Sequence, residues 1–221
     1  MVVHPSGIRQ DLVDKVVARR GRLHAFERLD PGRTALVVID LDTGTVRRCL
    51  PDTVMATVIA PVNAVAAVRA HGGVVAWVRT PIQRASERFV AIFGPSTARM
   101  YEEEGAGVAR TLWHELDVRD EDLQAVKTGS SAFFPGKCDV PERLAERGVD
   151  TVLIAGAVTN VCCGSSARDA SELGYRIVMV SDALVGQSFG VGEAELATIF
   201  RCFGDVRPSS EVTALLAAGA G

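Results

Sequence analysis

Short runs that are apolar at successive positions recur along this chain: Ala35-Leu-Val-Val-Ile39, Val74-Val-Ala-Trp-Val78, Thr151-Val-Leu-Ile-Ala155 and Arg176-Ile-Val-Met-Val180. Such a run suits a strand buried on both faces, because a strand with one wet face alternates apolar and polar residues. Helical spacing separates the runs. Val54, Val58, Val62, Val65 and Val68 recur at three- and four-residue steps, one face of a helix over about 53–71, and Gly72-Gly73 stops it. Strand followed by helix, repeated, predicts βα units around a parallel sheet.

The remaining elements fit that scheme. Residues 123–127 read as a short extended segment, 140–147 as a helix, and 160–174 as a helix ending in a Gly stop. Ser181-Asp182-Ala183 reads as a turn after the run 176–180. A helix near 192–202, a short strand over 205–207 and a helix near 209–217 follow. The stretch 79–122 is the least regular, rich in charge and Gly, with Pro81 and Pro95. It predicts a long excursion with short helices, a natural place for a lid or an interface. Residues 1–33 read as an N-terminal extension, helical over 9–20, and 34–221 as a single domain. The 221 residues and 48% hydrophobic content suffice for one shared core.

Composition excludes several function classes. A net charge of −3 is not the footprint of a nucleic-acid binder, and the basic residues of 1–33 are interleaved with Asp11, Asp14, Glu27 and Asp30. No apolar run approaches the ~20 residues that span a bilayer. The start, Met1-Val-Val-His-Pro-Ser6, lacks a basic segment leading into an apolar one, so a cytoplasmic protein is expected. There the 5 cysteines read as thiols, an odd number without CxxC spacing. The 4 histidines (His4, His24, His71, His114) are scattered and show no ligand spacing, so no metal and no cofactor are expected.

In open α/β sheets, ligands bind at the carboxyl ends of the strands. Asp40 follows the first run, Lys127 ends the extended segment, and Cys162 follows the run 151–155 where a helix begins. Parallel strands bring such ends to one edge. A thiol in the first turn of a helix sees unpaired N–H groups and the positive end of the dipole, which favour the thiolate. A nearby lysine pushes the same way. Each residue has a plainer reading: Asp40 as a turn cap, Lys127 as a solvated lysine, Cys162 as a small buried thiol. The case rests on the three together.

At these residues the sequence resembles the isochorismatase-like cysteine hydrolases, which include nicotinamidases, N-carbamoylsarcosine amidases and ureidoacrylate amidohydrolases. The likeness spans roughly 34–210. It is carried by Val152-Leu-Ile-Ala-Gly-Ala-Val-Thr-Asn-Val-Cys162, Ser165-Ser-Ala-Arg-Asp-Ala170, Gly174-Tyr175, Val180-Ser-Asp-Ala183, Thr34-Ala-Leu-Val-Val-Ile-Asp40, and Val126-Lys127 with Ser130-Ser-Ala-Phe133. The resemblance implies a three-layer α-β-α sandwich with a mainly parallel, roughly six-stranded sheet. It implies a catalytic triad of Asp40, Lys127 and Cys162. It also implies a cis peptide at Ala157-Val158, with the backbone N–H groups of Val158 and Cys162 as oxyanion hole. Cys162 rather than Cys163 directly follows the family's Thr-x-x unit, and the next residue of a helix is turned by about 100°.

Two departures stand out. The family usually follows its catalytic Asp with Met-Gln-Asn-Asp-Phe, whereas this chain reads Leu41-Asp-Thr-Gly-Thr-Val46, so Asp42 adds negative charge. The family's metal-binding nicotinamidases carry Asp-x-His and a further His pair, whereas Trp77-Val-Arg-Thr-Pro-Ile-Gln83 has no His. The expected activity is therefore metal-independent, cysteine-dependent hydrolysis of an amide, ureido or carbamoyl C–N bond in a small molecule. Alternatives are isochorismatase-type ether cleavage, whose enzymes lack the cysteine; a non-catalytic binding protein on the same fold; and a redox sensor using Cys162-Cys163. Arg79, Arg84, Trp113, Phe133 or Phe134, and Gln187 are candidate substrate contacts, each with a surface or core reading beside it. A homodimer or homotetramer is expected from the resemblance and from the segment 79–122.

Overall fold

The structure is a computed structural model, and it describes residues 8–49, 52–81, 85–107, 111–186 and 188–220. The strands are β1 (Thr34–Ile39), β2 (Val74–Arg79), β3 (Leu123–Val126), β4 (Thr151–Ala157), β5 (Arg176–Val185) and β6 (Asp205–Arg207). They form a six-stranded sheet in the order β3-β2-β1-β4-β5-β6, and every pairing is parallel. The order reverses between β1 and its neighbours β2 and β4. That switch point leaves a crevice at the carboxyl ends of the central strands.

The apolar runs are explained by what lies on each face. Side chains alternate across a strand. Ala35, Val37 and Ile39 of β1 join one buried cluster, and Leu36 and Val38 join the other. The first cluster is covered by α1 (Gln10–Arg20), α5 (Val140–Ala145), α6 (Gly164–Glu172) and α7 (Phe189–Cys202), through residues such as Val16, Leu144, Ala167 and Phe200. The second is covered by α2 (Thr43–Cys49), α3 (Asp52–Ala66) and α8 (Ser209–Gly219), through Val46, Val62 and Leu216. The result is a three-layer α-β-α sandwich. Each buried Val, Leu, Ile or Phe side chain among these contributes roughly 1.5–3 kcal/mol.

Several elements depart from the sequence expectation. The stretch 79–122 holds one long element, α4 (Glu87–Gly107), broken at Gly94, which has φ 80° and ψ 160°. Only glycine adopts that conformation readily. Pro95 then opens the second helical half, where its missing N–H costs nothing. The helix expected to end at His71 ends as α-helix at Ala66 and continues as a 3-10 turn over Ala67–His71. Ser181-Asp182-Ala183 is not a turn: β5 runs through it to Val185, and the pairing with β4 shifts register between Ile154 and Gly156. The helix expected over 160–174 begins as a single π-helical turn, Thr159–Cys163, before α6. The short extended segment expected over 123–127 is β3, at one edge of the sheet.

Leu41–Val46 is likewise not a loose loop. Trp113 N donates to Leu41 O and Thr43 N to Thr111 O, both at 2.9 Å, and α2 begins at Thr43. Asp42 is fully buried, and its Oδ1 accepts the Thr45 N–H at 2.8 Å, the bond an N-cap makes. The acid that replaces the family's amide therefore starts a helix.

Among the described residues, no helix is long and apolar enough to cross a membrane.

Candidate active site

Asp40, Lys127 and Cys162 come from the carboxyl ends of β1, β3 and β4, far apart in sequence. Asp40 leaves β1 in the left-handed region, at φ 53°, the one non-glycine residue with positive φ among the described residues. Its N–H still bonds Val78 O at 2.8 Å. An aspartate tolerates this conformation better than most residues, and such outliers gather at functional sites. The neighbouring strand must come close here. At Gly156, with φ 115°, an added Cβ would collide with the Ile39 backbone, so only glycine lets β4 run beside the residue before Asp40.

Lys127 lies at the centre. Its Nζ is 2.8 Å from Asp40 Oδ2, with the two side chains only 1% and 5% exposed. The same ammonium donates to Thr80 Oγ1 at 2.9 Å, Gly129 O at 3.2 Å and Cys162 Sγ at 3.4 Å. Thr80 Oγ1 donates in turn to Asp40 Oδ1 at 2.9 Å. Thr80 was not singled out in the sequence; its one signal is its place just past the end of β2. Burial pulls the lysine pKa down, but the charge of Asp40, joined by that of Cys162 once it ionises, outweighs it, so Lys127 is raised and stays a cation.

Cys162 lies in the π turn that links β4 to α6. The Ala157–Val158 peptide that leads into this turn is cis. Val161 N and Cys163 N both turn back to Val158 O, at 3.0 and 3.3 Å. Ser166 Oγ donates to Cys162 O at 2.7 Å and accepts the Ala132 N–H at 2.9 Å, so the turn is tied to the loop after Lys127. Cys163 faces the other way: it is fully buried in the core, and its Sγ approaches Ala155 O at 4.0 Å.

The expected preformed thiolate is not what this geometry favours. Burial first, and then the Asp40 charge, push the Cys162 thiol up to about 12, against the opposing pull of Lys127. The turn is π-helical and the α-helix begins only at Gly164, so the thiol is not in the first turn of that helix. The cluster thus sets a thiol of raised pKa beside a lysine cation and the Asp40 side chain.

The other candidates separate. Phe133 is fully buried and meets Tyr175 edge-on at 5.6 Å, so it is a core residue rather than a pocket wall. Phe134 is 53% exposed. Trp113 packs partly buried against the second core cluster, and its indole N–H bonds Glu115 Oε2 at 2.9 Å. Arg79 ends β2, and its carbonyl accepts the Lys127 N–H at 2.9 Å. Arg84 and Gln187 lie outside the described residues. Among those residues, no group of three or more His, Cys, Asp or Glu side chains is arranged to hold a metal ion.

Comparison with known proteins bears on the constellation as a whole. The model of the isochorismatase domain matches residues 34–211. The chain belongs to the isochorismatase family. Within it, the chain is 30% identical over 187 residues to the uncharacterized isochorismatase family protein YwoC of Bacillus subtilis, covering 83% of this chain and 94% of that one. It is 32% identical over 124 residues to the ureidoacrylate amidohydrolase RutB of Rhizobium rhizogenes, covering 53% of this chain and 49% of RutB. Among solved structures, the family fold is matched by a cysteine hydrolase from Pseudomonas syringae pv. phaseolicola at a TM-score of 0.78, covering 90% of this chain and 99% of that one. At 24% sequence identity, that likeness is one of fold.

Proposed function

We propose that the protein is a cysteine-dependent amidohydrolase that cleaves a non-peptide C–N bond, amide or ureido, in a small molecule. The observation that carries this reading is a lysine cation buried between a carboxylate and a thiol, 2.8 Å from Asp40 Oδ2 and 3.4 Å from Cys162 Sγ. A buried ion pair costs desolvation, and a free thiol beside it supplies a proton the carboxylate can accept. That relatives include a named amidohydrolase supports the reaction class.

In this mechanism Asp40 takes the thiol proton as Cys162 Sγ attacks the carbonyl carbon. Lys127 compensates the charge of the resulting pair. Backbone N–H groups of Val158 and Cys162 hold the oxyanion. Asp40 returns the proton to the leaving nitrogen, the C–N bond breaks, and a thioester remains on Cys162. Asp40 then deprotonates a water that attacks the thioester, which releases the acid and restores the thiol. Nucleophile, base and compensating charge are all side chains of this one chain, so the cycle as written uses no cofactor and no metal. Because burial and the Asp40 charge raise the thiol pKa, proton transfer accompanies attack instead of preceding it.

The test is an ammonia-release screen over small amides, carbamoyl and ureido compounds, with Cys162→Ala as control. Turnover that Cys162→Ala abolishes, with a thioester adduct trapped on the wild type, is the expected result. Turnover that survives in Cys162→Ala ends the reading. Ether cleavage is the weaker alternative, because it gives the thiol no task.

The same reading includes a cytoplasmic setting and a homodimer or homotetramer. The exposed apolar side chains Ile92 and Phe93 on α4, 61% and 57% exposed, support self-association. Sedimentation velocity checks it: a purely monomeric species at working concentration removes that part.

A further inference from the structure

Thr80 joins both charged members of the cluster. A hydroxyl has one proton and two lone pairs. The proton goes to Asp40 Oδ1 and a lone pair receives Lys127 Nζ, both at 2.9 Å. Lys127 has three N–H groups but four acceptors: Asp40 Oδ2 at 2.8 Å, Thr80 at 2.9 Å, Gly129 O at 3.2 Å and Cys162 Sγ at 3.4 Å. One contact is therefore always shared. Thr80 engages one of those protons and supplies a donor to the carboxylate oxygen that Lys127 leaves. Carboxylate, ammonium and hydroxyl close a ring, and a closed ring fixes both the plane of the carboxylate and the direction of the ammonium.

We propose that Thr80 is a positioning residue of this active site, holding Asp40 and Lys127 so that the carboxylate stands oriented to take the Cys162 proton. The proposal rests on the hydrolase reading, in which Asp40 is the base and Cys162 the nucleophile. Thr80 itself touches no reacting atom; it acts through its two partners. Asp40 is also faced by Cys162 from the π turn, while the core-facing Cys163 feels its charge, Asp42 lies two residues on in the same chain, and Arg79, the last residue of β2, precedes Thr80.

Thr80→Val keeps the shape and removes the hydroxyl. A carboxylate that loses a donor holds its proton more tightly. The acid limb of Cys162 reactivity then moves to higher pH by about one unit. The rate above the limb falls by about 10²-fold, the usual cost of a misplaced group. Thr80→Ser restores both. The readout needs no substrate: iodoacetamide alkylation at Cys162, followed by peptide mass mapping from about pH 4 to about pH 10. On a substrate found in the screen, kcat falls while KM holds.

Thermal melts select folded variants, and Thr80→Ala carries the same comparison where Thr80→Val disturbs the fold. Asp40→Asn is the control that removes the limb altogether. No wild-type acid limb at Cys162 overturns the hydrolase reading, and this inference with it. A wild-type limb that Asp40→Asn removes but both hydroxyl-free variants leave unmoved overturns the Thr80 assignment alone. A limb that moves without rescue by Thr80→Ser overturns it too, because bulk rather than the hydroxyl then explains the shift.

Discussion

The two ends of β3 each carry a buried cation–carboxylate pair, and the pairs differ in one respect. At the amino end, Asp122 accepts from Arg69 Nε, from a second Arg69 nitrogen and from Trp77 Nε1, each at 2.7 Å, and from the Arg119 N–H at 2.9 Å. At the carboxyl end, Asp40 and Lys127 are joined by Thr80 and face a thiol. Every group at the first pair is a donor that keeps its proton or an acceptor already filled. That pair is a strut between α3's 3-10 extension, β2 and the segment before β3. The second pair contains a group whose proton can leave. Burial alone does not mark an active site. An ion pair becomes chemical when one of its neighbours is a weak acid.

The contrast is broken most decisively by replacing each pair whole. Asp40→Asn with Lys127→Met is expected to lower turnover by about 10⁴-fold or more. Its urea stability is expected to stay within about 1 kcal/mol of wild type, since both charges are removed together and no unpaired ion is left buried. Asp122→Asn with Arg69→Met is expected to cost about 3 kcal/mol in the same titration. The strut loses every Arg69 bond, including those to Asp117 Oδ2 and Asp117 O, and the Asp122 oxygens lose both guanidinium donors. Its turnover per folded molecule is expected to be retained. Loss of activity in the second variant at full folding would join the two ends into one functional unit.

Stability against pH sharpens the same contrast, with opposite signs at the two ends. Burial opposes the Asp122 charge, but the bonds from Arg69 and Trp77 outweigh it and hold this carboxyl below the usual range. Its stabilisation is full above the unfolded carboxylate value and is lost as pH falls through the depressed folded value. Asp122→Asn should therefore show a shallower acid loss of stability. The Cys162 thiol is raised, to about 12, so the unfolded chain releases this proton first. Stability should fall as pH rises above an unfolded thiol's value of about 8.5, and Cys162→Ser should flatten that alkaline fall. Urea titrations across the two limbs measure both.

The smallest effects concern the loop just past Lys127. Phe133→Leu is expected to cost about 1 kcal/mol with KM unchanged, as for a core ring. Phe134→Ala is expected to stay within about 0.5 kcal/mol. A large KM change in Phe133→Leu would return that ring to the pocket.

The buried strands were legible because β1 and β4 pack on both faces, which leaves Thr34 and Thr151 at the strand starts as their only polar positions. Asp40, Lys127 and Cys162 were legible as candidates because each falls where a strand ends. Thr80 was not, because its meaning lies in two side chains from other strands, 40 and 47 residues away. The Asp122–Arg69 strut was hidden for the same reason, its partners lying 53 residues apart. The π turn at Thr159–Cys163 has the same residue pattern as an α-helical start, so spacing could not separate them.

By itself, the amino-acid sequence determined the α/β class and the residue types offered at the strand ends, because hydrophobic periodicity and chain order are local properties. Only the tertiary structure decided which side chains surround the Cys162 thiol and which hydroxyl joins Asp40 to Lys127. Those depend on burial and on distances of about 3 Å between strands remote in sequence, and a low-dielectric interior makes such distances govern where each proton resides.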